Sequence, residues 1–152
     1  MITEDYVSSE TAKLLKEKGF YEPCHALYHD GEDKIFFGLD EDSYRNTILN
    51  TDCYACPTLQ MVIRWMEEEH HILIVPNYIY ECTDDSWVYK IYRLEENGKP
   101  ERCPIKGVSY DKDNNPTEHI VGYRDYYLGH GNYTTRKEAE EEGIKYCLEN
   151  LI

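Results

Sequence analysis

The stretch Thr58–Leu94, TLQMVIRWMEEEHHILIVPNYIYECTDDSWVYKIYRL, constrains the fold most, because it is the densest apolar segment and changes period half-way. Leu59, Val62, Ile63 and Met66 stand at i, i+3, i+4 and i+7, with Arg64, Glu67 and Glu68 opposite them. That spacing predicts an amphipathic helix over Thr58–His70, widened by Met61 and Trp65. Pro57 halts what precedes it, and Thr58 can serve as N-cap. From Ile72 the period becomes two. A turn at Asp84-Asp85 pairs Cys82 with Trp87, Tyr80 with Tyr89 and Tyr78 with Ile91, and puts all six on one face. Such aromatic pairs contribute about 0.2–1 kcal/mol each. The opposite face carries Asn77, Ile79, Glu81, Val88, Lys90 and Tyr92. The aromatic face is expected to pack on the Leu59–Met66 stripe, with Pro76 marking an edge or a bulge between Ile72–Val75 and Asn77–Cys82.

The flanks read as additions to this unit. Val7–Gly19 predicts a first helix, capped by Ser8, stapled by Val7 and Ala12, and ended by Gly19. Its stripe of Ala12, Leu14 and Leu15 is thin, so it should dock at an edge. Ala26–Tyr28 and Lys34–Phe37 flank Asp30-Gly31, a hairpin signal. Gly38–Pro57 reads as a connector with a helical turn at Ser43–Leu49. Beyond the polar Glu95–Cys103, Ile105–Tyr110 and His119–Tyr127 predict two strands around Asp113-Asn114-Asn115-Pro116. Thr135 and Glu138 form a capping box for a last helix whose stripe is Ile144, Cys147, Leu148 and Leu151. Gly143 inside that helix costs roughly 1 kcal/mol against Ala, which points to close approach of a neighbour. The expected fold is α+β over residues 1–152 as one domain. It has a mostly antiparallel sheet of four to six strands with the two strong helices on one face.

Charge narrows the function classes. The chain carries a formal −14, which repels phosphate backbones and anionic membranes. No direct nucleic-acid binding is expected. No apolar run approaches the roughly 18 residues of a membrane helix, and MITEDYVSSE has no export signal. Fifteen tyrosines stand against three Phe and two Trp, which suits a thin core bordered by phenols or a contact surface. Without an export signal, the six cysteines read as reduced thiols of a cytoplasmic protein.

The motifs that could carry chemistry are sparse. Cys53-Tyr-Ala-Cys56 is one CxxC, whereas a structural zinc site needs four ligands; Cys82, Cys103, His70 and His71 are not paired at metal spacing. Asp111-Lys112-Asp113-Asn114-Asn115 begins like a calcium loop, but Pro116 and Gly122 fall where Gly and Glu are needed. Asp30, Glu32, Asp33 and Asp40, Glu41, Asp42 read as solvated loop charge. His70-His71 reads as a cationic helix end that complements the dipole. A Cys/His nucleophile pair, Cys24 with a distant His for example, can meet only in the fold. No catalytic, cofactor or metal residue is assigned.

Three segments carry a resemblance: MITEDYVSSETAKLLKEKGFYEPC, PTLQMVIRWMEEEH and YTTRKEAEEEGIKYCLENLI. Together they resemble a group of small uncharacterised proteins of gut bacteria and their prophages or phages. The resemblance implies an intracellular protein of bacterial or phage origin, and implies no activity and no site residues. The element order is also similar to the α-β-β-β-α double-stranded-RNA-binding domain. There the last helix grips phosphate with lysines, where this chain has Thr135-Arg136-Lys137-Glu138-Ala139-Glu140-Glu141-Glu142. The leading expectation is a non-enzymatic accessory protein that binds a protein partner with a basic surface. The alternatives are an acidic nucleic-acid mimic that inhibits a DNA- or RNA-binding enzyme, and a small metal or thiol protein using Cys53 and Cys56. Recognition is expected on the far face (Asn77, Ile79, Lys90, Tyr92) or on the strand ending at Tyr127.

Overall fold

The computed structural model describes residues 4–39, 43–80 and 86–152. In chain order the elements are α1 (Ser9–Glu17), β1 (Ala26–His29), β2 (Phe36–Phe37), β3 (Cys53–Ala55), α2 (Leu59–His70), β4 (Ile72–Ile79), β5 (Ser86–Arg93), β6 (Arg102–Tyr110), β7 (Pro116–Asp125), β8 (Leu128–Tyr133) and α3 (Arg136–Asn150). Every strand pair is antiparallel. The fold is α+β. Its strands are divided over three sheets, ordered β2-β1-β3, β4-β5-β8 and β6-β7. With α2 between β3 and β4, the order differs from the five-element α-β-β-β-α pattern.

The helix ends follow their side chains. The Ser8 hydroxyl accepts from Thr11 N at the start of α1, and Gly19 takes the left-handed φ of +84° beyond its end. The Thr58 hydroxyl accepts from Met61 N, and α2 closes on His71 at φ 54° with its N–H donating to Met66 O. Both halves of the Thr135–Glu138 capping box are formed on α3. In the connector before α2, Leu49 N donates to Arg45 O at 3.1 Å, which forms the expected helical turn. The same connector contains β3, which the sequence reading passes over. Buried Asn46 ties it in: its side chain donates to Phe20 O and accepts from Ala55 N.

The β4–β5 register differs from the expected one. Tyr78 faces Trp87, Ile74 faces Ile91 and Tyr89 faces Pro76, not Tyr80. Ladder pairing among the described residues ends at Ile79 opposite Ser86, and the turn expected at Asp84-Asp85 lies outside the described residues. This register sets Ile72 and Ile74 beside Tyr89 and Ile91, and all four are buried. The shift is even, so side-chain parity survives. Tyr89 and Ile91 face the core as expected, but Tyr78 and Tyr80 run past the helices and are 38% and 81% exposed. Cys82 lies outside the described residues. Pro76 stands within β4, an edge strand of its sheet, where its missing N–H is tolerated.

The helix that covers this sheet is chiefly α3, not α2. It crosses β4, β5 and β8, while α2 reaches β4 and the flank of α3. Gly143 permits the approach: a Cβ there would stand 3.0 Å from Ile74 Cγ2 and 3.1 Å from Tyr89 Cγ. The α1 helix docks on α3 and β3 with Thr11, Ala12 and Leu15 buried. The β6–β7 hairpin stands apart. Val108, Tyr110, Ile120 and Tyr123 share one of its faces and are all more than half exposed.

Candidate functional site

A cleft of about 930 Å³ lies between the N-terminal segment and the start of α3. One wall is Glu4–Ser8. Val7 N donates to Pro57 O and Leu59 N to Asp5 O, so this segment is pinned along the head of α2. The other wall is Thr135, Lys137, Glu138, Glu141 and Glu142 from α3, and Tyr28, Ile35 and Tyr133 complete the lining. Capping dictates part of this geometry. Glu138 Oε2 accepts from Thr134 N at 2.9 Å, turning the first carboxylate back onto the helix end. Glu141 Oε1 accepts from Ser8 N at 2.9 Å, Ser8 Oγ at 2.6 Å and Thr11 Oγ1 at 2.5 Å. One carboxylate oxygen thus clasps α3 to the N-cap of α1, and its second oxygen takes no part in these bonds.

The lining holds five carboxylates (Glu4, Asp5, Glu138, Glu141, Glu142) against the single ammonium of Lys137. Lys137 Nζ lies 3.5 Å from Asp5, and Tyr6 donates to Glu4 at 3.2 Å. The phenols are held neutral. Burial and then Glu4 push Tyr6 up, burial and then Glu142 push Tyr133 up, and burial pushes Tyr28 up. Tyr28 donates to Val7 O at 2.8 Å, and Tyr133 stacks on Tyr89 with centroids 5.9 Å apart. Neutral rings present π-faces to a cationic guest. A cleft with this charge and these rings favours an ammonium or guanidinium group.

No family model, curated protein or solved structure matches the chain. The site is therefore read from its own chemistry. No helix among the described residues is long and apolar enough to cross a membrane.

The residues singled out in the sequence fall elsewhere. On the far face of the β4-β5-β8 sheet, Ile79, Val88, Lys90, Tyr127, Gly129 and Gly131 line a shallow groove of about 230 Å³. Lys90 Nζ lies over the Tyr127 ring at 4.7 Å, and Tyr92 packs on Tyr127. Tyr110, Tyr123, Tyr126 and Tyr127 are exposed on and beside the β6–β7 hairpin.

Cys53 and Cys56 do not share a site. Cys53 is half-buried beside His29, whereas Cys56 is wholly buried with its sulfur near Val7 O. Among the described residues no three His, Cys, Asp or Glu side chains gather as a metal set. Asp111 Oδ1 accepts from Asp113 N and Asn115 N, so its carboxylate closes the turn, and those bonds hold its pKa low. Asp30 accepts from Tyr54 and Asp33 from Ser9; Asp40, Glu41 and Asp42 lie outside the described residues.

The expectation for His70 is overturned. Its ring packs edge-on to Trp65 at 4.5 Å, and its buried Nε2 has no hydrogen-bond partner among the described residues. Burial lowers its pKa, so it is a neutral packing group and no cation for the helix dipole. His71 closes the helix through its backbone.

Proposed function

We propose that the protein is a non-enzymatic accessory protein that binds another protein, taking a Lys- or Arg-bearing segment of its partner into the Glu4–Glu142 cleft. The reading rests on the cleft lining, with five carboxylates and neutral phenols facing one ammonium. Phosphate groups would be repelled there, which sets nucleic acid aside as the guest. Each exposed ion pair contributes up to about 1 kcal/mol, and a cation over a Tyr face adds roughly 0.5–2 kcal/mol. Several such contacts together suit a moderate, salt-sensitive complex. The resemblance to proteins of gut bacteria and their phages adds an intracellular setting to the proposal, with the cytoplasm as its location.

Titration with a labelled Arg/Lys-rich peptide, followed by anisotropy, tests it. Charge reversal at two lining positions, Glu4→Lys with Glu142→Lys, should weaken binding at least tenfold. The same reversal at exposed Glu96 and Glu101, away from the cleft, should weaken it no more than twofold. Equal losses from both pairs would mean diffuse attraction to an acidic molecule, and the cleft would be discarded as the site.

A further inference from the structure

Thiol and imidazole groups meet in one place outside the cleft. The β1–β3 register sets His29 directly across from Cys53, and Cys53 Sγ lies 3.3 Å from His29 Nδ1. Phe36 stands edge-on to the imidazole at 4.7 Å. Lys16 Nζ donates to Cys53 O at 2.8 Å and fixes the strand end. Both side chains reach solvent, His29 exposed and Cys53 half-buried. We propose that Cys53 and His29 form a reactive thiol site, modified by low-molecular-weight disulfides through thiol–disulfide exchange.

The atoms balance without a further reagent. The Cys53 Sγ–H proton passes to His29 Nδ1 as the sulfur attacks one sulfur of the disulfide RS–SR. The S–S bond of the reagent breaks, a Cys53–S–SR bond forms, and the leaving RS⁻ takes the proton back from the imidazolium as RSH. Cys53 is oxidised to a mixed disulfide and half of the reagent is reduced to thiol. The other described thiols lack this arrangement. Cys24, Cys56 and Cys147 are buried, and burial pushes each up to about 12, where a thiol is inert at neutral pH. Cys103 has Arg124 beside it, which stabilises charge but cannot accept a proton. Cys56 cannot resolve the adduct, because its sulfur is enclosed in the core. The mixed disulfide therefore persists until an external thiol removes it. This separates the site from a CxxC oxidoreductase.

The experiment uses the full reduced chain with excess oxidised glutathione at pH 7, followed by intact mass and peptide mapping. The first adduct should form at Cys53. His29→Asn, at an exposed position, should slow that adduct roughly tenfold by removing the general base, and leave the rate at Cys103 unchanged. Continued silence of Cys24, Cys56 and Cys147 reports that the variant is folded. First modification at another cysteine, or an unchanged Cys53 rate in His29→Asn, overturns the proposal.

Discussion

Gly143→Ala tests whether the distance between α3 and the sheet is set by a missing side chain. At an exposed helical position the change stabilises by roughly 1 kcal/mol, through helix propensity and lost freedom in the unfolded chain. Here the new methyl would stand 3.0 Å from Ile74 Cγ2, 3.1 Å from Tyr89 Cγ and 3.3 Å from Tyr89 Cβ. Neither neighbour yields easily. The Tyr89 ring is stacked on Tyr133 and packed against Tyr146, and Ile74 is 2% exposed in the middle of β4. Overpacking of this kind costs about 1–3 kcal/mol. The opposing gain leaves a net loss of about 1 kcal/mol, and α3 must shift by a few tenths of an ångström. Urea unfolding followed by far-UV circular dichroism gives the difference. The methyl should cost less in an Ile74→Ala background, because the two positions touch and do not add. A stabilised Gly143→Ala protein would refute the close-approach argument.

Three further outcomes follow from the same packing. Cys24, Cys56 and Cys147 are raised by burial from an ordinary value near 9 to about 12. The stability they contribute is complete below pH 9 and is lost as pH rises toward 12, at about 4 kcal/mol per pH unit for the three together. An alkaline titration by circular dichroism should show steep unfolding above pH 10, less steep in Cys147→Ala, and a flat profile to pH 11 would contradict it. His70 has a lowered pKa, so its neutral form favours the fold and stability falls as pH drops below about 6.5. His70→Phe should flatten the urea midpoint between pH 7 and 5, and an unchanged slope would reject the burial argument. Glu141→Ala removes three hydrogen bonds to one carboxylate oxygen and should cost about 2 kcal/mol. A loss below 0.5 kcal/mol would show that the clasp between α1 and α3 carries no weight.

The local signals in the chain were legible because they depend on near neighbours in sequence. Ser8, Thr58 and Thr135 each mark a helix start by a bond reaching three residues ahead, and each bond is present. Asp30-Gly31 marks a hairpin, and β1 pairs with β2 around it. The β4–β5 register failed for a physical reason. Alternation fixes parity and nothing else, and any even shift leaves the same side chains on the same face. The turn residues were asked to choose among the even registers. The choice is instead made by packing of Ile72, Ile74, Tyr89 and Ile91 beneath α3, a contact with a helix some sixty residues further along. The β8 strand carries no periodic signal, because Leu128-Gly-His-Gly-Asn-Tyr has little β-propensity. Its glycines serve the approach to β5, where a Cβ on Gly131 would collide with Val88 Cγ1.

The candidate sites show where sequence reasoning stops. Net charge announced that a basic guest would be favoured, but not where, because acidic residues are spread through the chain. The cleft exists only because Val7, Tyr28 and Glu141, distant in sequence, are tied together by two short hydrogen-bonding sets at the heads of α1 and α3. The Cys53–His29 pair is a sharper case. Each residue was visible, yet a Cys/His pair twenty-four positions apart is one of many combinations until a strand register selects it. That register belongs to β3, only Cys53–Ala55 long, too short for any periodic signal, and lodged in what reads as a connector. The CxxC spacing drew Cys53 toward Cys56. Cross-strand pairing draws it toward His29, while Cys56, one residue past the end of β3, is enclosed in the core.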